Sequence, residues 1–246
     1  MKIHDKILTM ATRQAITVGD IVHTYNRGTR KLAIVHDELD RDYFLKALFY
    51  LNDSRSIPGI FRALREEYPD LLARYEWPIG WKERDPLVRV HAYILMPNHF
   101  HLVLEEIREN GIPLFMQKLS TGLTCRYNIR YKTSGSLFQG RYKYVRVAEE
   151  DYLQYLGAYV QVKNAFELFD GGLKSALHDF NKAFDFACSY QYGSLSHYVG
   201  VHSTPIITSG KSVFFEIKDR AEYKKFVHSI LDTPDFEEQL VKVKID

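Results

Sequence analysis

The sequence of 246 residues has little of the material from which several protein classes are built. It holds only two cysteines, Cys125 and Cys188, without a C-x-x-C spacing, which excludes a disulfide framework and a thiolate metal site. The longest apolar run, Ala92 to Met96, is far shorter than the roughly 20 residues of a membrane-spanning helix. The first ten residues, MKIHDKILTM, are too polar for a secretory leader. We therefore expect a cytoplasmic protein without a membrane partner.

Acidic residues are missing from the stretch 110–148, although the net charge of the whole chain is only +2. Tyrosines are interleaved with the cations of this stretch. Positive charge next to flat rings is typical of proteins that bind single-stranded nucleic acid. A solvated basic face is the simpler interpretation of such a run. The seven cations are Lys118, Arg126, Arg130, Lys132, Arg141, Lys143 and Arg146.

Hydrophobic periodicity predicts strands and helices that alternate along the chain. The predicted strands are 15–25, 137–147 and two within 88–106, which Pro97 separates. The predicted helices are 40–51, 57–75, 113–131, 149–163 and 220–231. This order favours an α+β fold with a ferredoxin-like antiparallel sheet, helices packed on one face, and a C-terminal helical extension.

The same pattern divides the chain into two regions. We assign residues 1–170 to one domain and residues 171–246 to a C-terminal extension that packs on it. The helical segment near 57–85 is interpreted as an insertion in the first domain, and the sequence assigns it no role.

The segment His99-Phe100-His101 carries the sharpest chemical signal. Alternate side chains of a strand share a face, so the two imidazoles project together while Phe100 points to the other side. Two imidazoles on one strand are half of a metal site. A partly exposed strand face is the simpler interpretation of this pair taken alone.

The segment ILMPNHFHLVLEE resembles the His-hydrophobic-His signature of the single-tyrosine HUH transposases, and most of all their REP-associated branch in the IS200-like group. Ordered matches over roughly 200 residues are much more specific than one short motif. The further matching segments are VHTYNRG, DRDYFLKALFYL, FMQKLSTGLTCRYNIRYKTSGSLFQGRYKYVRV and EEDYLQYLGAYV, with YQYGSLSHYVG and EYKKFV as weaker ones.

The resemblance implies an enzyme that cleaves and rejoins single-stranded or hairpin DNA. His99 and His101 would hold Mg²⁺ or Mn²⁺ at the scissile phosphate. A tyrosine would attack that phosphate and form a 5′-phosphotyrosine with release of a 3′-hydroxyl. The segment YVQVKN matches the family's nucleophile motif and assigns this role to Tyr159, in preference to Tyr152 and Tyr155 on the same helical stripe.

One position departs from the family pattern. The family places an asparagine or glutamine four residues after the nucleophile as the third metal ligand, whereas this sequence has Lys163, whose ammonium has no lone pair. Asn164 follows directly, but five residues from Tyr159 it reaches the metal only if the helix is distorted. The third ligand stays open.

The charge pattern and the resemblance together nominate residues that contact nucleic acid. Two other functions stay open: a catalytically weak or inactive nucleic-acid-binding protein of the same fold, and a metal-dependent phosphodiesterase in which Tyr159 is structural. The sequence does not decide the DNA target, or whether a homodimer forms. The nominated residues are Arg27, Arg30, Lys118, Arg126, Arg130, Lys132, Arg141 and Lys143.

Overall fold

The four strands of the protein form one antiparallel sheet in the order β2-β3-β1-β4 within the part that the structure describes. The structure is a computed structural model that describes residues 15–147, 150–207 and 219–233. The start of the chain and parts of the C-terminal extension (208–218 and 234–246) lie outside the described residues. The strands are β1 (Ile21–Arg27), β2 (Val88–Leu95), β3 (His99–Glu106) and β4 (Lys143–Val147).

Helices connect these strands in the order β-α-β-β-α-β, which is the ferredoxin-like arrangement, so the predicted α+β fold is confirmed. A π-helical turn, Tyr159–Lys163, joins α5 to α6. None of the described helices is long and apolar enough to cross a membrane. The helices are α1 (Glu38–Tyr50), α2 (Ile60–Glu67), α3 (Pro69–Arg74), α4 (Gly111–Tyr131), α5 (Glu150–Ala158), α6 (Asn164–Phe166), α7 (Gly172–His178), α8 (Phe180–Ser189), α9 (Leu195–Tyr198) and α10 (Arg220–Leu231).

Both faces of the sheet are covered. Helices α1 and α4 pack on the face that carries Val22 and Leu102, whereas the prediction placed helices on one face only. The π-helical turn, α8 and α10 form a second layer on the face that carries Ala92 and Val103. A strand that is covered by helices on both faces has consecutive buried residues instead of alternating ones. Strand β1 is accordingly buried from Val22 to Asn26. The functional groups of the inner strands therefore lie between two layers.

The predicted helix 57–75 is divided into α2 and α3 at Pro69, because proline lacks the N–H that would continue the first helix. The ends of this segment are joined at its base by Asn52, which is fully buried. The Asn52 amide nitrogen donates to the carbonyl of Val88 at 2.9 Å, and its oxygen accepts from the N–H of Leu87 at 2.9 Å. The segment therefore leaves and rejoins the domain at one point.

Several predicted boundaries were wrong, among them the start of the first strand, which lies at Ile21 instead of residue 15. The last strand starts at Lys143 instead of residue 137, since the preceding residues make only an isolated bridge between Phe138 and Gly28. Helix α4 starts at Gly111, two residues before the predicted Pro113. The Glu106 carboxylate accepts from the N–H groups of Gly111 and Ile112, at 3.0 and 2.6 Å, and so satisfies the free donors of the helix start.

We expect Asn52→Ala to lower the free energy of unfolding by about 1–3 kcal/mol, because it leaves buried backbone groups of Leu87 and Val88 without partners. Urea denaturation measures the change. Gln191→Ala, which removes an exposed amide, is the control. Equal midpoints for the two variants would show that Asn52 does not hold the two ends of the segment 57–85 together.

Candidate active site

The register between β1 and β3 gathers three imidazoles on one face of the sheet. Tyr25 lies opposite His101 and Arg27 lies opposite His99. Opposite residues of an antiparallel pair point to the same face, and so does His23, two residues before Tyr25. The ring of His23 stacks on that of His101 with centroids 5.0 Å apart, and the centroids of His99 and His101 are 5.2 Å apart.

Tyr159 lies over this face. Its ring centroid is 5.2 Å from that of His101 and 6.2 Å from that of His23, and it is nearly perpendicular to both. Among the described residues, no ring contact joins Tyr152 or Tyr155 to the histidines. The structure therefore brings together the predicted histidine pair and the predicted tyrosine.

The helix is distorted at the tyrosine. The backbone N–H of Asn164 donates to the carbonyl of Tyr159, five residues back, which is the bond of a π-helix. The Asn164 amide nitrogen donates to the same carbonyl at 2.9 Å. Asn164 is thus one π-helical turn beyond Tyr159. The helix therefore has a distortion of the kind that Asn164 needs in order to lie on the same side as Tyr159.

Lys163 contributes a positive charge beside the same groups. Its Nζ lies 5.3 Å from the centroid of the Tyr159 ring, and it is ion-paired with Glu167. The charge of Lys163 also disfavours the protonated forms of His99 and His101. The ammonium therefore lies within electrostatic reach of the histidine pair.

Burial keeps the three imidazoles neutral. Desolvation lowers the pKa of His23 to about 3, and desolvation together with the charges of Arg27 and Lys163 lowers the pKa of His99 to about 4. The same causes, with the neighbouring histidines, hold the pKa of His101 well below its usual value. Neutral imidazoles offer lone pairs at pH 7. Burial also raises the pKa of Tyr159, so its phenol is protonated at rest.

His101 has the free nitrogen that a ligand needs. Its Nδ1 is 2.8 Å from Nε2 of His23, whereas its Nε2 is buried without a hydrogen-bond partner. The second imidazole of the pair, His99, is held through Nδ1, which is 2.6 Å from Oδ1 of Asn98. A buried nitrogen without a partner fits a position that binds a ligand, and imidazoles oriented through their other nitrogen are typical of metal sites.

The two imidazoles are incomplete as a metal site. In the part of the chain that the structure describes, no group of three or more His, Cys, Asp or Glu side chains could hold a metal ion. His99 and His101 supply two neutral imidazoles for a divalent cation, so a third donor would have to be another kind of group. The helix that carries Tyr159 holds two buried amides, Gln161 and Asn164.

His23 is a functional candidate that the sequence analysis missed. If His101 Nδ1 donates to His23 Nε2, the proton is kept away from His101 Nε2, which then presents its lone pair. The sequence signal for His23 was its alternation with Tyr25 in VHTYNRG, which puts both side chains on one face of a strand. This face can be assigned to the histidine pair only when β1 is known to pair with β3.

Three of the nominated cations lie beside this site. Arg27, Arg141 and Lys143 line a cavity of about 240 Å³ together with Tyr25. Nε of Arg27 is buried without a hydrogen-bond partner. Arg27 lies opposite His99 and its charge helps lower the pKa of His99 and His101, so the positive charge of this cavity reaches the histidines. Such a cavity suits an anionic ligand.

The other nominated cations lie elsewhere. Arg130 is ion-paired with Asp37 and Asp40, and this contact lowers the pKa of Asp37 to about 2. Lys118 donates to the backbone carbonyls of residues 53 and 55, at 2.5 and 2.7 Å. Both belong to α4, on the face of the sheet opposite Tyr159, and so does Arg126. Arg30 and Lys132 are exposed.

The chain is similar to a solved structure. No protein-family model matches the chain, and no curated protein matches it. The solved structure is that of a REP-associated tyrosine transposase bound to a REP hairpin, which shares 11% sequence identity over 81% of this chain and 90% of that chain, with a TM-score of 0.42. A backbone overlap of this size assigns no chemistry to the chain.

We expect His23→Phe to weaken Mn²⁺ binding by about 10–100-fold, because it removes the hydrogen bond that orients the His101 imidazole. Isothermal titration calorimetry measures the affinity. His23→Gln retains a hydrogen-bond acceptor and should lose less Mn²⁺ affinity. His178→Gln removes an exposed histidine and should leave the Mn²⁺ affinity unchanged.

Thermal unfolding verifies that the variants are folded. Unchanged Mn²⁺ affinity in both folded His23 variants would show that His23 does not act on the histidine pair.

Proposed function

We propose that the protein cleaves and rejoins single-stranded DNA at hairpins through a covalent bond between Tyr159 and a 5′-phosphate. The observation that carries this proposal is the contact between the Tyr159 ring and the His101 imidazole, whose centroids are 5.2 Å apart. A phenol packed against imidazoles that have a free nitrogen is the arrangement that metal-assisted attack on a phosphate needs. The preference for hairpins comes from the sequence resemblance.

The reaction exchanges one phosphate ester for another. The phenol oxygen of Tyr159 bonds to the scissile phosphorus as the bond to the 3′-oxygen breaks, while the phenol loses a proton and the 3′-oxygen gains one. The ester energy is kept in the phosphotyrosine, so a 3′-hydroxyl can reverse the step and join strands. A Mg²⁺ or Mn²⁺ ion held by His99 and His101 would withdraw charge from a non-bridging phosphate oxygen.

The charges around Tyr159 suit this step. Its phenol is protonated at rest because burial and the charge of Glu167 raise its pKa, whereas the charge of Arg27 lowers that pKa and favours the phenolate. Lys163 lies 5.3 Å from the ring centroid, where a cation stabilises the developing phenolate or the phosphate. We place the DNA backbone along Arg27, Arg141 and Lys143, since these cations share one cavity beside Tyr25.

We also propose Asn164 as the source of the third ligand. The π-helical bond places it one turn after Tyr159, where the family has its amide, and its side-chain nitrogen is held by the carbonyl of Tyr159. An amide held through its nitrogen still has an oxygen that can ligate a hard cation.

The position of Lys163 favours a second function, that of a nucleic-acid-binding protein with weak or no catalysis. An ammonium within reach of both histidines opposes a divalent cation. A mobility shift of hairpin DNA without strand cleavage would support this second function.

We expect Tyr159→Phe to abolish the covalent adduct while the protein stays folded and still binds DNA, because only the nucleophilic oxygen is removed. The assay incubates the protein with Mn²⁺ and hairpin DNA labelled at its 5′ or 3′ end, followed by a denaturing gel. Tyr152→Phe and Tyr155→Phe are matched controls that should retain the adduct.

An adduct that persists in Tyr159→Phe would reject Tyr159 as the nucleophile. Strand cleavage without any adduct in the unmodified protein would instead indicate a metal-dependent phosphodiesterase.

We expect Asn164→Ala to weaken Mn²⁺ binding about tenfold, as loss of a group that supports a metal site does. Lys163→Gln should tighten Mn²⁺ binding, because it removes a positive charge beside His99 and His101. Calorimetry measures both affinities, and His178→Gln is again the control. If Asn164→Ala binds Mn²⁺ unchanged and Lys163→Gln binds it no more tightly, neither residue acts on the metal position.

A further inference from the structure

A second cavity lies on the other face of the sheet. It has a volume of about 700 Å³ and lies between α2, α4 and the segment 51–59 that precedes α2. One wall therefore belongs to the inserted segment, and the other is the outer surface of α4. The cavity shares no lining residue with the site around Tyr159.

The floor of this groove is apolar and open to solvent. Leu114 is 39% exposed and Ile129 is 78% exposed, and both line the groove. They are 15 residues apart on α4, a distance of about 22 Å along a helix, or about four turns. Ile57 and Phe61 line it from the side of the inserted segment. Large exposed aliphatic side chains gathered in one groove are typical of a surface that binds a partner.

The charges at the groove have one sign. Among the described residues that line it there are five cations and no aspartate or glutamate. Ion pairs in the described part of the chain involve neither Arg62 nor Arg65 nor Arg126, and Nε of Arg126 is buried without a partner. An apolar floor between unpaired cations fits a ligand with an apolar face flanked by carboxylates.

We propose that this groove docks an acidic amphipathic helix of a partner protein. A helix of about four turns matches the distance between Leu114 and Ile129 at the two ends of the groove. Its carboxylates would pair with Arg62, Arg65 and Arg126. The aromatic rings of the groove do not suit nucleic acid, because Tyr43 and Phe61 pack on each other with centroids 4.6 Å apart and Arg126 lies over Tyr43. Single-strand binders need free ring faces on which bases stack.

The test uses two fluorescein-labelled 18-residue helical peptides with leucines along one face, one with glutamates and one with lysines on the flanks. Fluorescence anisotropy with the full-length protein measures binding. We expect saturable binding of the glutamate peptide and at least tenfold weaker binding of the lysine peptide. The double substitution Arg62→Glu with Arg65→Glu should weaken binding of the glutamate peptide at least tenfold. Arg74→Glu on α3, outside the groove, should leave this binding unchanged.

Cys125 locates the bound peptide. It is exposed and lines the groove, whereas Cys188 is buried. Saturating glutamate peptide should therefore slow alkylation of Cys125 by iodoacetamide at least fivefold. No saturable binding, equal binding of the two peptides, or no protection of Cys125 would overturn the proposal. So would displacement of the glutamate peptide by a 20-nucleotide single strand that protects Cys125, which would assign the groove to nucleic acid. Each result is independent of whether Tyr159 forms an adduct.

Discussion

The antiparallel pairing of β1 with β3 is the constraint on which the rest of the structure depends. It places His23 and Tyr25 on the same face as His99 and His101. A slip of one residue in β1 would turn His23 and Tyr25 to the other face, toward α1 and α4. The same pairing directs Val22 into the opposite core, so that apolar packing on one side fixes the polar site on the other.

The site also depends on how polar groups are buried. Imidazoles buried between a sheet and a helical layer are stable as neutral groups that have hydrogen-bond partners. His23 and His101 partner each other, and Asn98 partners His99. The free nitrogens that remain on the rings of His23 and His101 carry a desolvation cost, which a metal ion could offset at His101. At the edge of this cluster, Lys163 is ion-paired with Glu167, so the ammonium of Lys163 has a counterion of its own.

Local patterns predicted much of this arrangement. The break at Pro97 and the histidine alternation are short-range features, and the structure has both of them. His23 could not be predicted, because its role depends on pairing with a strand about 78 residues away. The π-helical turn could not be predicted either, since helical periodicity assumes a regular helix. The structural role of Arg130 is its ion pair with Asp37, a residue that is distant in sequence. Local charge patterns therefore cannot separate the cations that bind a ligand from those that hold α1 against α4.

The most direct test of this account is to locate the covalent bond itself. The adduct formed with hairpin DNA and Mn²⁺ is digested with nuclease and trypsin, and fragmentation mass spectrometry is applied to the peptide 147–163, which contains Tyr152, Tyr155 and Tyr159. The account predicts a nucleotide phosphate on Tyr159 alone. A nucleotide on Tyr152 or Tyr155, or cleaved DNA with an unmodified peptide, would contradict it.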